Sequence, residues 1–193
     1  MKKYLILLVL ISINSNIYSQ NMFDNITFSR NYKLIQKGKL NKAFVKIEKE
    51  ITKDKDLLRN KYAISLIYSN RNFKNYDPKK SYNYLSESQI IFQSIREEKI
   101  IKKLNDIPLN DSVYILEFNK ICNLALEDAV QKNQIDNYNE YLRFYTKSSL
   151  KNQETAIKKR TIVAYNLAVI TNTLESYYEF IDKYPNANQI EKV

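Results

Sequence analysis

Ala125–Tyr145 (ALEDAVQKNQIDNYNEYLRFY) lies over Ala164–Tyr184 (AYNLAVITNTLESYYEFIDKY) at an offset of 39 residues. Seven of the 21 aligned positions are identical: Ala125/Ala164, Ala129/Ala168, Val130/Val169, Asn133/Asn172, Tyr138/Tyr177, Glu140/Glu179 and Tyr145/Tyr184. Four more are conservative, namely Ile135/Leu174, Asp136/Glu175, Tyr141/Phe180 and Leu142/Ile181. Unrelated segments share about one or two such matches, and a period of this size marks a stacked helical array. Each copy reads as the end of one helix, a break at the asparagine and a second, short helix. Ile135, Tyr138, Tyr141/Leu142 and Tyr145 recur at three- and four-residue steps, which puts them on one helical face. Ala125 and Ala129 are small enough to let a neighbouring helix come close. Proline after Tyr184 ends the last helix, because the residue before proline is driven out of helical geometry.

Composition extends this reading to the whole chain. Its 193 residues include one glycine and three prolines, and 44% are hydrophobic. β-folds need many turn residues with special backbone angles, whereas helices on short polar loops need few. In the first half, Phe28, Tyr32 and Leu34/Ile35 make one helical face closed at Gly38, and Leu40, Ala43/Phe44, Ile47 and Ile51 make the next. Leu57/Leu58, Tyr62, Ser65/Leu66 and Ile67/Tyr68 form a third, followed by a polar loop, SNRNFKNY. Asp77-Pro78 starts another helix, with aspartate as cap and proline at the first position. Its expected apolar side is Tyr82, Leu85, Ile90/Ile91 and Phe92. A junction is expected near Leu104–Asn110, with Asn110 or Asp111 capping the long helix that follows.

The run from Gly38 (KGKLNKAFVKIEKEI), with Lys61–Tyr68 (KYAISLIY) and Asp77–Leu85 (DPKKSYNYL), resembles tetratricopeptide repeats, in which a small residue follows the first helix and an alanine packs in the second. Asn172–Pro185 (NTLESYYEFIDKYP) resembles related repeats of bacterial envelope proteins. The resemblance covers roughly residues 27–92 and 122–190; the period of 39 is longer than the 34 of tetratricopeptide repeats, and their tryptophan is absent. It implies an α-solenoid of stacked antiparallel helix pairs that binds peptides or protein surfaces and carries no chemistry of its own.

The N-terminus has the three-part layout of a secretory signal: Met1-Lys2-Lys3, the apolar run Tyr4–Ile13, and a small residue at Ser19 before Gln20. Ten apolar residues are too few to cross a hydrocarbon core that needs roughly 20. No cysteine follows the run, so the expectation is a periplasmic or extracellular protein that is not a lipoprotein. The organisation is then a signal peptide at 1–19, N-terminal tetratricopeptide-like helices at 20–104 and C-terminal helical repeats at 111–193.

Chemistry is constrained by what is missing. The chain has no histidine, so Ser-His-Asp and Cys-His machinery and the usual zinc ligand sets cannot be assembled. A single glycine excludes phosphate-cradling Gly-rich loops. Glu97/Glu98 and Glu127/Asp128 are adjacent in sequence and diverge by about 100° on a helix, as surface carboxylates do. Cys122 shares a helix side with Phe118, Ala125 and Ala129 and reads as a small buried apolar residue. Most of the 16 tyrosines fall on the apolar stripes, where the ring is buried and the hydroxyl kept wet. No cofactor or metal is expected.

The net charge is +10, or +8 without Lys2 and Lys3. Lysine outnumbers arginine 25 to 6, which argues against nucleic acid, since the planar arginine fork is the better phosphate reader. The sharpest charge pattern is Lys39, Lys42, Lys46, Lys49 and Lys53, a basic ridge expected opposite the Leu40/Ala43/Ile47/Ile51 face. It reads either as a solvated face supported by a Lys46–Glu50 pair or as a dock for an anionic surface. The functional expectation is a non-catalytic scaffold or adaptor that binds a protein or peptide partner in the cell envelope. The alternative is a basic module for an anionic polymer or membrane surface.

Overall fold

The structure, a computed structural model, describes residues 25–95 and 109–192. The signal-like segment, the Glu97/Glu98 pair and Pro108 lie outside the described residues. Within them the chain is all-helical: α1 (Asn25–Gln36), α2 (Leu40–Ile51), α3 (Leu57–Tyr68), α4 (Pro78–Ser94), α5 (Asp111–Lys132), α6 (Ile135–Phe144), α7 (Leu150–Thr171) and α8 (Leu174–Lys183), with a 3-10 turn at Ile190–Lys192 and no strand. No helix of the described residues is long and apolar enough to cross a membrane. The chain divides into two compact units, one to Tyr114 and one from Ile115 onward.

In the first unit α1 ends on Gly38, which takes φ +69°. Its N–H bonds to the Ile35 carbonyl and that of Lys39 to the Leu34 carbonyl, both at 2.9 Å. This is the paired closure that left-handed geometry permits after a helix. The chain then reverses into α2, whose Leu40, Ala43 and Ile47 are buried on one stripe. Consecutive helices pack on each other from α1 to α4, and α1 also touches α3. The most extensive of these contacts, α3 on α4, is bridged by two serines. Ser81 Oγ donates to the Ser65 carbonyl at 2.7 Å and Ser88 Oγ to the Leu58 carbonyl at 2.8 Å, both buried. Short side chains let the backbones approach, and satisfied hydroxyls remove the cost of burying them.

Asp77 caps α4 as expected, its Oδ1 accepting from the N–H groups of Lys79 and Lys80 at 3.0 Å. Two other expectations are corrected. The buried face of α4 is Ser81, Tyr82, Leu85 and Ser88, and Ile90, half a turn from Ser81 on a helical wheel, is 66% exposed. The loop after α3 is not wholly polar, because Phe73 turns inward and packs 5.1 Å from Phe44 and 5.7 Å from Tyr68. The unit also buries an ion pair. Asp56, at φ 42°, accepts from Arg59 Nε at 2.7 Å, and the Arg59 guanidinium lies 4.7 Å over the Phe28 ring.

In the second unit the 39-residue repeat becomes two helix–turn–helix segments, α5–α6 and α7–α8. Both turns are made by the repeated asparagine in left-handed geometry, Asn133 at φ 49° and Asn172 at φ 50°. Each donates its N–H to the repeated alanine carbonyl, Ala129 or Ala168, at 2.9 Å. Each asparagine Oδ1 accepts from the repeated tyrosine hydroxyl: Tyr138 to Asn133 at 3.0 Å and Tyr177 to Asn172 at 3.1 Å. Three of the seven identical positions, Ala129/Ala168, Asn133/Asn172 and Tyr138/Tyr177, thus build the turn. Ala125, Ala129, Ala164 and Ala168 are all buried, as close helix approach requires. α6 and α8 both pack on α7. Beyond α8, Ala187 and Ile190 fold back against the cluster of Ala164, Ala168 and Phe180.

Candidate functional site

All five ridge lysines, Lys39, Lys42, Lys46, Lys49 and Lys53, are exposed. Lys42, Lys46 and Lys49 lie within α2, Lys39 is its N-cap residue and Lys53 follows its C-cap Thr52. In a helical projection at 100° per residue the five fall within about 80°, alongside a helix of 12 residues that is about 18 Å long. Their stripe is centred about 110° round from Leu40, Ala43 and Ile47, so it flanks the buried face instead of standing diametrically opposite. Among the described residues none of the five makes an ion pair, and no bond joins Lys46 to Glu50. The lysines therefore present uncompensated charge to solvent.

α1 adds three exposed cations, Arg30, Lys33 and Lys37, which the sequence reading passed over although they too recur at three- and four-residue steps. Residues 25–53 hold eight basic side chains against two acidic ones, a balance of +6. Residues 115–193 hold ten of each and sum to zero, so the whole net charge of +10 resides in residues 1–114.

The second unit offers a different surface. Positions that are polar in the first copy of the repeat become apolar in the second without becoming buried. Asp128, Gln131 and Asn139 are replaced by Leu167, Ile170 and Tyr178, which are 50%, 79% and 68% exposed. Leu174, the counterpart of half-buried Ile135, is 76% exposed. These four side chains stand on either side of the Asn172 turn. Sequence alone missed them, because the tyrosine and leucine spacing looked like more core; Tyr178 is a correction to that expectation.

The remaining candidates for chemistry are not brought together. Glu127 and Asp128 stay on the outer side of α5, Glu127 exposed and Asp128 half-buried. Asp136, Asn139, Glu140 and Arg143 line an open depression of about 440 Å³ on α6, with Arg160 donating to Asn139 Oδ1 at 2.8 Å. Among the described residues no three potential metal ligands cluster. Cys122 is a free thiol, fully buried, and desolvation pushes it up to about 12. Burial likewise raises Tyr114 to about 12, against the lowering effect of its 2.8 Å bond with Ser88. Among the described residues seven tyrosines are buried as expected: Tyr62, Tyr68, Tyr82, Tyr114, Tyr138, Tyr141 and Tyr145. Compared with models of protein families, with curated proteins and with solved structures, the chain matches none.

Proposed function

We propose that this is an exported, non-catalytic scaffold or adaptor, built as a tetratricopeptide-like α-solenoid, that binds a protein partner through its C-terminal hairpin. The observation that carries the reading is the copy-to-copy change at Leu167, Ile170 and Tyr178. Here the outer face gains large apolar side chains at positions where the preceding copy is polar, and exposed apolar clusters of this kind mark partner surfaces. The solenoid part is supported by a turn built twice with the same chemistry and by helices that pack on the next from α1 to α4 and from α6 to α8. Export is supported by the leader-like N-terminus.

A photo-crosslinking side chain placed at Ile170 or Tyr178 tests this in the native envelope. The same protein is expected from both positions, none from Lys158, and the crosslink from Tyr178 is expected to disappear in a Leu167→Asp/Ile170→Asp variant. Equal capture from Lys158, or capture that survives the double substitution, refutes the reading.

A further inference from the structure

The ridge is a second surface, separate from the apolar one and independent of what the C-terminal hairpin binds. We propose that the α1–α2 hairpin docks on an anionic bilayer surface through Lys39, Lys42, Lys46, Lys49 and Lys53. Three observations select this partner among anionic ones. First, all five ridge cations are lysine, a compact hydrated charge on a flexible stem with no fork for reading a particular phosphate or carboxylate geometry. Such a set recognises charge density rather than shape. Second, the aromatic side chains of the hairpin are withdrawn: Phe28 is buried, and Tyr32 and Phe44 are half-buried and engaged with neighbouring rings. Single-stranded nucleic acid binding relies on exposed rings for base stacking. Third, the outward side of α2 is open to solvent. Asn41, Lys42, Val45, Lys46, Glu48 and Lys49 are all exposed, a broad set of side chains that suits a flat, extended partner surface. Val45, 65% exposed and one helical turn from both Lys42 and Lys49, adds an apolar contact at the level of the lysine stems.

Each lysine near an anionic leaflet strengthens partitioning roughly fivefold, so neutralising three weakens it about a hundredfold. The test uses the full chain and vesicles of phosphatidylcholine with or without phosphatidylglycerol, read by co-sedimentation. Wild type is expected to partition only onto the anionic vesicles, and to be released as salt shortens the screening length from about 10 Å at 0.1 M to about 3 Å at 1 M. A Lys42→Gln/Lys46→Gln/Lys49→Gln variant is expected to lose about a hundredfold. A control that neutralises three exposed lysines of the second unit, Lys151→Gln/Lys158→Gln/Lys183→Gln, is expected to bind as wild type does. The six positions are solvent-facing, and unchanged helical circular dichroism verifies folding in both variants. The proposal is overturned if wild type ignores phosphatidylglycerol, if the ridge variant binds undiminished, or if the control loses as much. Tighter binding to polyglutamate or duplex DNA than to the anionic vesicles also overturns it, by moving the partner to another class. Disruption of the Leu167/Ile170 surface leaves vesicle binding unchanged, so this result and that of the crosslinking experiment are read separately.

Discussion

Replacing Asn133 by alanine removes two separable contributions. Asn133 holds φ 49°, and alanine in left-handed geometry costs about 1 kcal/mol, a strain that asparagine tolerates better. The second contribution is the bond its Oδ1 accepts from the Tyr138 hydroxyl at 3.0 Å. Tyr138 is 0% exposed, so its hydroxyl is left without this acceptor and with little access to water, at about 1–2 kcal/mol. The expected total is about 2–3 kcal/mol. Glycine at the same position relieves the backbone but not the hydroxyl, so Asn133→Gly is expected to recover about 1 kcal/mol relative to Asn133→Ala. The second copy supplies an internal control. Asn172 holds φ 50° and accepts from Tyr177 at 3.1 Å, but that bond is exposed and water replaces it. Asn172→Ala is therefore expected to cost about 1 kcal/mol, the backbone part alone. Thermal unfolding followed by helical ellipticity reads these as losses of about 2–4 °C per kcal/mol. Equal losses for Asn133→Ala and Asn172→Ala, or no difference between alanine and glycine at 133, refute the reasoning.

Other substitutions probe the remaining turns and the core. Gly38→Ala meets no atom within 4 Å, so its cost is backbone strain alone, about 1 kcal/mol by urea titration; a loss several times larger would point to packing instead. Asp56→Asn leaves the Arg59 guanidinium buried beside a neutral amide, and a loss of about 3 kcal/mol is expected in the same titration. The Cys122 thiol, raised from 9.0 to about 12, holds about a thousandfold less thiolate at pH 8 than in the unfolded chain. It should stay silent to a disulfide-exchange reagent until denaturant is added, and reaction in the native state contradicts its burial. Because the folded form retains its proton where the unfolded form has lost it, Cys122 and Tyr114 also lower stability as pH climbs from about 9 towards 12. The melting temperature should fall across that window.

The helical class, the repeat and several helix ends were legible because each rests on local chemistry. Asp77-Pro78 caps by sequence-adjacent bonds, and Asn133 and Asn172 announced breaks through their place between two periodic stretches. What was hidden depends on contacts distant in sequence. Ser88 reads as a polar surface residue until its hydroxyl meets the Leu58 carbonyl and the Tyr114 hydroxyl. Phe73 sits in a run of polar neighbours, and only the Phe44 and Tyr68 rings give it a reason to turn inward. Asp54 and Asp56 take left-handed angles that a chain with one glycine must assign to aspartate or asparagine, yet nothing local says which. The five lysines of the ridge were visible as a pattern. The apolar surface at Leu167, Ile170 and Tyr178 was not, because periodicity reports which face a residue shares and not whether a neighbour covers it.

All excess positive charge falls in residues 1–114, whereas residues 115–193 sum to zero. A negative boundary therefore attracts one unit and leaves the other without net pull, within a screening length of about 8–10 Å at physiological salt. Added electrolyte is then felt in the encounters of the first unit and hardly in those of the second.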